Sequence, residues 1–198
     1  MALKLDSEVR QEQIAQAALA VVAQHGVRHL SIASVARLVG VVPSALYRHF
    51  KGKDAIIDTV MQLVRERLLE NVRVVIGTVS DPLEQLRVLL SRHVQFIKEN
   101  QALPRVLFSE AVYEGRLGRR RAIFGTIQSY LACVADIVRR GQAEGCIRKD
   151  LDPDTVAVMF LGLVQPAAIL WHMSEGQFDV VQHSERAWAI FADAVRER

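Results

Sequence analysis

Four small or polar side chains between positions 44 and 49 suggest the first chemistry that this sequence could perform: Ser44, Ala45, Arg48 and His49. Hydroxyl, guanidinium and imidazole groups bond to phosphates and base edges, and an alanine methyl can touch the methyl of thymine. Residues 13 to 53 include five Lys or Arg, three His and no Asp or Glu. This one-sided charge indicates a polyanionic partner, and DNA is the partner that a short exposed helix can read.

A pair of short helices is needed to hold these side chains. Gly40 separates two segments with helical apolar periodicity, and glycine adopts a positive φ without a Cβ penalty. Pro43 suits the first position of a helix, where its missing N–H has no intrahelical partner. The hydroxyl of Ser31 can cap the first helix. The sequence therefore predicts a helix-turn-helix over residues 31–50.

Apolar residues at helical spacing predict the contact between the two helices: Val35, Ala36 and Val39 on the first, Leu46 and Phe50 on the second. An amphipathic helix over residues 7–25, terminated by Gly26, precedes the pair. Three helices can close a small core. Lys53 then stands at the start of a long helix, beside the outward face of the second helix.

Residues 31 to 54 resemble the signature of the tetracycline-repressor (TetR) family of bacterial transcriptional regulators: Ser31-Ile32-x-x-Val35-Ala36-x-x-Val39-Gly40-Val41-x-x-Ser44-x-Leu46-Tyr47-x-His49-Phe50-x-x-Lys53-Asp54. The resemblance covers about the first quarter of the chain. It implies an all-α fold, with an N-terminal three-helix helix-turn-helix DNA-binding domain over residues 1–53 and a larger helical effector-binding and dimerisation domain over residues 54–198. Two positions depart from the pattern, because the family usually has Ser at Val42 and often Gly at Ser44.

The resemblance also implies how the residues divide the work. It implies phosphate contacts from four side chains: Ser31, Tyr47, His49 and Lys53. Base reading in the major groove then falls to the outward positions of the second helix, which are Ser44, Ala45 and Arg48. The alternative is a solvated helix face that carries these residues without a partner.

The charge distribution supports this division. Residues 1–54 carry seven basic and four acidic side chains, a net of +3, whereas the remaining 18 basic and 18 acidic side chains cancel. All of the formal net charge therefore lies around the predicted motif, where contact with phosphate requires it.

Beyond Asp54 the sequence predicts helices only. Asp81-Pro82 and Asp152-Pro153 have the form of a cap followed by a first helical residue. The expected helices run over residues 54–76, 82–99, 103–113, 116–143, 153–173 and 181–197. At 198 residues with 51% hydrophobic composition, the chain can bury a sizeable core.

The segment from residue 156 to residue 171 is apolar except for Gln165, with Gly162 and Pro166 as expected weak points. Its sixteen residues fall short of the roughly 20 that span a bilayer. A helix that is apolar all round must be covered all round, so we expect a twofold homodimer. The expected interface residues are Leu161, Val164, Ala168, Trp188, Phe191 and Val195. The alternative is a helix buried wholly within one monomer.

The resemblance further implies an effector cavity among the helices between residues 82 and 173. Candidate lining residues are Arg92, His93, Phe96, Phe108, Glu110, Tyr113, Phe124, Gln128, Phe160 and Gln165. This mixture favours a small hydrophobic or amphipathic molecule. Each candidate also has an ordinary interpretation as a core or surface residue.

Other classes of function find little support. The sequence contains no G-x-S-x-G elbow, phosphate loop or Cys/His metal spacing, so we expect no enzyme, cofactor or metal site. His25 and His29 are four apart, but Gly26 separates them. Arg119, Arg120 and Arg121 suggest a solvated helix face. The charged N-terminus and the isolated Cys133 and Cys146 favour a cytoplasmic protein without a membrane partner. The resemblance implies that it is bacterial and nucleoid-associated.

The expected function is a DNA-binding transcriptional regulator, a repressor by analogy, that a small effector releases from an inverted-repeat operator. The alternative is an architectural or chromosome-organising DNA-binding protein of the same fold that takes no metabolite. The sequence identifies neither the effector nor the operator.

Overall fold

The computed structural model describes residues 2–103, 106, 109 and 117–197, with side chains from residue 11 onward apart from that of Leu117. The described α-helices are α1 (Ala2–His25), α2 (Ile32–Val39), α3 (Pro43–Tyr47), α4 (Lys53–Thr78), α5 (Pro82–Glu99), α6 (Leu117–Glu144), α7 (Pro153–Gly162), α8 (Gln165–Met173) and α9 (Val180–Val195). A 3-10 turn, Val27–His29, follows α1. The all-α prediction is confirmed, although most of the helix expected over residues 103–113 lies outside the described residues.

Contacts divide the chain into two compact units. The first comprises Met1–Glu66 and Asn100–Ile123, and the second comprises Arg67–Glu99 and Phe124–Arg198. Helices α4 and α6 each contribute residues to both units. The domain boundary expected after residue 53 stays a prediction.

The first unit is built on small and branched apolar residues. Its buried side chains come from four helices and the segment between α3 and α4: Ile14, Ala18 and Val22, then Ile32, Val35 and Ala36, then Leu46, Phe50, Ile56 and Ile57. Val35 and Ala36 are fully buried, which allows α1 and α3 to pack closely on α2. The core predicted for the helix-turn-helix is therefore confirmed, with Val39 only half-buried at its edge.

The second unit buries one face of α6 against its other helices, through Tyr130, Val134, Ile137 and Val138. Phe160 of α7 is fully buried, and its ring meets that of Phe191 of α9 edge to face at 5.9 Å between centroids. These contacts form part of the apolar core of the second unit.

Local signals for helix ends are confirmed at several positions. The Asp152 carboxylate accepts a hydrogen bond from the Thr155 N–H at 2.8 Å, and Pro153 is the first residue of α7. The single helix expected over residues 153–173 is instead two helices, because the chain turns at Leu163 and Val164 between α7 and α8. The break lies between the two expected weak points, Gly162 and Pro166.

The residues expected at the dimer face differ in exposure. Val164, Ala168, Phe191 and Val195 are at most 5% exposed within the single chain, so they offer little surface to a partner. Only Leu161 and Trp188 remain half-exposed. The apolar side chains that α7, α8 and α9 do expose are Val158, Met159, Ile169, Leu170, Met173, Val181 and Ile190. Periodicity alone did not show which side of an all-apolar helix faces inward.

Two stretches, Gly118–Glu144 and Pro153–Met173, are long and apolar enough to cross a membrane, with mean hydropathies of 1.2 and 1.7. The second is longer than the sixteen residues counted from the sequence, but it consists of two helices rather than one. Core helices of soluble proteins pass the same test, so length and composition are weak evidence for a membrane.

Candidate nucleic-acid interface

The turn between α2 and α3 is fixed by backbone hydrogen bonds. Gly40 has φ 76° and ψ 30°, the left-handed conformation that glycine adopts without a side-chain clash. The Val41 N–H donates to the Ala36 carbonyl at 3.0 Å, and the Gly40 N–H donates to the Arg37 carbonyl at 3.3 Å. This bonding closes the end of α2 as a Schellman motif. It sets the direction in which the chain enters α3.

The start of α2 is capped as the sequence predicts. The Ser34 N–H donates to the Ser31 hydroxyl at 3.0 Å, and the Ser31 N–H donates to the Ser34 hydroxyl at 2.9 Å. The two serines thus form a reciprocal capping box in which Ser34 takes the place usually held by Glu or Gln.

Helix α3 is only five residues long and is stabilised mainly by its buried apolar side. Pro43 is its first residue, and Val42 precedes it without a side-chain cap and with 66% of its surface exposed. Leu46 is 3% exposed, and Phe50, just beyond the helix, is 6% exposed. A helix this short is marginal by itself, so burial of these two side chains supplies its stability.

The side chains expected to touch DNA lie away from the buried Leu46 and Phe50. Ser44, Arg48 and His49 are exposed, and Tyr47 is 60% exposed. Ala45 is half-buried, so its methyl group is less accessible than the sequence suggests. The cluster presents a hydroxyl, a phenol, a guanidinium and an imidazole on one short segment.

Ser31 and Lys53 have partners within the protein. Ser31 caps α2, and the Lys53 ammonium donates to the Val27 carbonyl at 2.5 Å. An ammonium carries three N–H donors, so Lys53 keeps capacity for a phosphate. These bonds tie α4 to the 3-10 turn and α2 to its own first turn, which orders the surface around α3.

A buried arginine that sequence reasoning missed lies next to this surface. The side chain of Arg119, in the first turn of α6, is 2% exposed. Its Nε donates to Asp58 Oδ1 at 2.7 Å, and its Nη2 donates to Asp54 Oδ1 and to the Asp54 carbonyl, both at 3.1 Å. The expected solvated face is therefore wrong for Arg119, whereas Arg120 and Arg121 are exposed. Partners more than 60 residues away leave no local signal.

Four Lys or Arg side chains within residues 13–53 are exposed, namely Arg28, Arg37, Arg48 and Lys51. The first two acidic residues that follow α3 in the sequence are Asp54 and Asp58. Both bond to the buried guanidinium of Arg119. The exposed positive charge around α3 therefore meets little local opposition, as phosphate contact requires.

The residues expected around an effector separate into two groups in the second unit. His93 is 6% exposed, Phe160 is fully buried and Phe96 is half-buried. Arg92, Phe124, Gln128 and Gln165 are exposed, and Arg92 donates to Asn71 Oδ1 at 3.1 Å. Three further candidates, Phe108, Glu110 and Tyr113, lie outside the described residues. The described contacts do not bring these side chains together into one site.

His93 is the polar candidate with the most unusual environment. Its Nδ1 lies 3.2 Å from the Tyr130 hydroxyl, and the two rings meet edge to face. Burial lowers the pKa of His93 to about 4 and raises the pKa of Tyr130. The pair is therefore neutral near pH 7.

The remaining polar groups give no metal or redox site among the described residues. No group of three or more His, Cys, Asp or Glu side chains in that part of the chain is placed to hold a metal ion. The Nδ1 of His29 lies 2.5 Å from the His25 carbonyl, and Cys133 and Cys146 are half-buried free thiols.

Comparison with known proteins covers almost the whole chain. Residues 14–60 match the family described as bacterial regulatory proteins, tetR family, and residues 61–194 match the YsiA-like protein, C-terminal region. The chain is 23% identical over 186 residues to the fatty acid metabolism regulator protein of Bacillus subtilis (strain 168), covering 94% of this chain and 95% of that protein. It is 27% identical over 187 residues to the nucleoid occlusion factor SlmA of Edwardsiella ictaluri (strain 93-146), covering 92% and 93%.

A solved structure shows the same fold. The transcriptional regulator FadR from Bacillus subtilis in complex with stearoyl-CoA superposes with a TM-score of 0.78 at 22% identity, covering 91% of this chain and 97% of that chain. The relatives named here are regulators and a nucleoid occlusion factor rather than enzymes. The chain belongs to the tetR family of bacterial regulatory proteins and is a DNA-binding transcriptional regulator.

Proposed function

We propose that the exposed face of α3 reads the operator in the major groove. Arg48 donates two guanidinium N–H groups to O6 and N7 of a guanine, Ser44 bonds to a neighbouring base, and Ala45 contacts a thymine methyl. The observation that supports this assignment is the exposure of Ser44 and Arg48 above the buried Leu46. The half-burial of Ala45 makes its contribution the smallest of the three.

The residues around α3 hold the phosphates and orient the helix. Tyr47 and His49 are exposed on either side of Arg48, so they can reach the two walls of the groove. Lys53 contributes its remaining N–H donors while it bonds to Val27, and Ser31 contributes through the capped start of α2. Such contacts position the protein without specifying sequence.

The dimer interface consists of the exposed apolar side chains of α7, α8 and α9, together with Leu161 and Trp188. Val158 and Met159 are 58% and 55% exposed, and Ile190 is 75% exposed, so these helices present apolar side chains that a second copy can cover. We expect a twofold dimer to present two copies of α3 to successive major grooves, roughly 34 Å apart. The operator is therefore an inverted repeat.

The effector is a hydrophobic or amphipathic small molecule. The FadR relative was solved with stearoyl-CoA, which joins a long acyl chain to a polar head. In this chain the neutral His93–Tyr130 pair offers hydrogen bonds in an apolar setting, as a ligand with a few polar atoms requires. An effector that lowers operator affinity must itself be bound more weakly on the operator, by the same factor.

The similarity to SlmA supports a second candidate function. That relative is named a nucleoid occlusion factor, and it matches this chain over nearly its full length. In this case the protein marks many chromosomal sites and needs no metabolite. Either function acts in the bacterial cytoplasm, at the nucleoid, and neither involves catalysis.

Selection of genomic DNA fragments by the purified protein at near-physiological salt, followed by sequencing, tests the proposal. Recovery of a few inverted repeats establishes the repressor and points to its target genes. Many scattered sites that share a motif favour the chromosome-organising function. A matched selection with Arg48→Ala should lose the preference at one base pair of the enriched motif, and retention of the full motif would show that Arg48 does not read a base.

A further inference from the structure

The buried guanidinium of Arg119 has more partners than a helix-solubilising arginine needs. It donates to the carboxylates of Asp54 and Asp58, one turn apart on α4, and to the backbone carbonyl of Asp54. All three residues belong to the first unit. A bond to a main-chain oxygen fixes the helix itself, because the backbone cannot change rotamer as a side chain can.

The partners of Arg119 lie at the start of α4, close in sequence to α3. Lys53 is the first residue of α4 and Asp54 is the second, and only five residues separate α4 from the end of α3 at Tyr47. Phe50, in the middle of that connection, is buried. A displacement of the first turn of α4 therefore moves the end of α3 with it.

The charges of Arg119, Asp54 and Asp58 also support a role in DNA binding. Asp54 and Asp58 are 55% and 48% exposed, whereas Arg119 is 2% exposed, so the carboxylates are the part that solvent and DNA can sense. The neighbouring carboxylates hold the pKa of Arg119 above its usual range although burial acts to lower it. Without the guanidinium, two uncompensated negative charges would stand beside the phosphate-binding surface.

A buried ion pair is poor evidence for stability, because desolvation can offset its attraction, and in some proteins such groups fix a specific geometry instead. We propose that Arg119 is a positioning residue for operator binding, which fixes the first turn of α4 and thereby the place of α3 in the major groove. This inference depends on the proposed function.

The chain offers a matched control for the test. Arg121 is on the same helix, two residues away, and is exposed. Arg119→Ala and Arg121→Ala remove the same charge, and only the first removes the contact with α4. We expect Arg119→Ala in the full-length protein to lower affinity for the selected operator duplex by roughly tenfold or more, and Arg121→Ala by less than about twofold.

A second measurement separates positioning from a loss of folded protein. Affinity for a duplex of scrambled sequence, measured at a temperature at which circular dichroism shows both variants folded, should fall much less than operator affinity. If Arg119→Ala does not fold, then Arg119→Lys, which keeps the charge but loses the planar fork, replaces it with the same expected loss of operator preference.

A double-mutant cycle identifies the partners. In an Asp54→Asn/Asp58→Asn background, the additional effect of Arg119→Ala should shrink to about twofold, because the contact is already weakened. Full additivity, or equal losses on operator and scrambled DNA, would overturn the inference. Wild-type protein that selects no operator would instead overturn the proposed function, and this inference with it.

Discussion

The exposure of polar side chains differs between the helix-turn-helix and the helices expected to hold an effector. Around α3, Ser44, Arg48 and His49 are exposed together on a short segment that a glycine turn and two buried apolar residues hold in place. In the second unit, the polar and aromatic candidates divide between a buried core and open solvent. Local patterns can therefore define a protruding surface, whereas a cavity depends on how distant helices meet.

The largest expected effect tests this division inside the second unit. Phe160 is fully buried against Phe191, so Phe160→Ala should destabilise the protein by about 3–5 kcal/mol through lost packing. Phe124, another aromatic candidate, is 60% exposed, and Phe124→Ala should cost less than about 0.5 kcal/mol. Urea unfolding at one fixed protein concentration measures both, since dimer stability depends on concentration. An equal cost would mean that Phe124 is covered in solution.

Acid should affect the second unit through His93. Its pKa is lowered to about 4 by burial, whereas an unfolded histidine titrates near 6.5, so the unfolded state binds the proton more readily. The associated stability is fully present above about pH 6.5 and is lost as the pH falls through 4, by up to roughly 3 kcal/mol. Unfolding curves between pH 7 and pH 4 should show a smaller loss for His93→Gln. Parallel curves for wild type and variant would contradict the buried neutral state.

Two substitutions beside α3 distinguish base recognition from phosphate contact. Arg48→Ala should lower affinity by about 1–3 kcal/mol for the wild-type operator and relax the preference at one base pair. Lys53→Ala should weaken binding to all sequences alike and reduce the salt slope by about one unit. Equilibrium binding to operator and single-base variants over a range of salt measures both effects. Identical behaviour of the two variants would remove the distinction between their roles.

The smallest expected effects concern the helix caps. Ser31→Ala removes the capping box of α2 and should destabilise the protein by about 1 kcal/mol. Val42 precedes α3 in an extended conformation without a side-chain cap, so Val42→Ser should stabilise by up to about 1 kcal/mol. Thermal unfolding of both variants, with Ser44→Ala as an exposed serine control, checks the pair. A Val42→Ser variant no more stable than wild type would show that α3 is limited by something other than its cap.

The features that the sequence predicted correctly depend on neighbouring residues. The Ser31 cap, the left-handed Gly40 and the Asp152-Pro153 start each involve groups no more than five positions apart. Their geometry follows from side-chain chemistry and backbone sterics alone, so no knowledge of the remaining chain is required.

The features that escaped prediction depend on contacts across the chain. Arg119 finds its partners at Asp54 and Asp58, and nothing in the Arg119–Arg121 run distinguishes the buried arginine from the exposed ones. The inward side of α9 presents the same difficulty, since Phe191 and Ile190 are adjacent apolar residues of which only the first is buried. Which of two apolar faces is covered depends on helices that sequence periodicity does not place.

The construction of α3 has a consequence for how regulators of this kind diverge. Its fold depends on Pro43, Leu46 and the turn at Gly40, whereas Ser44 and Arg48 support no other part of the molecule that the structure describes. Substitutions at these two outward positions can change the preferred DNA sequence at little expense to folding. After gene duplication, a copy could therefore acquire a new set of target genes through one or two codon changes while its dimer and its effector response persist.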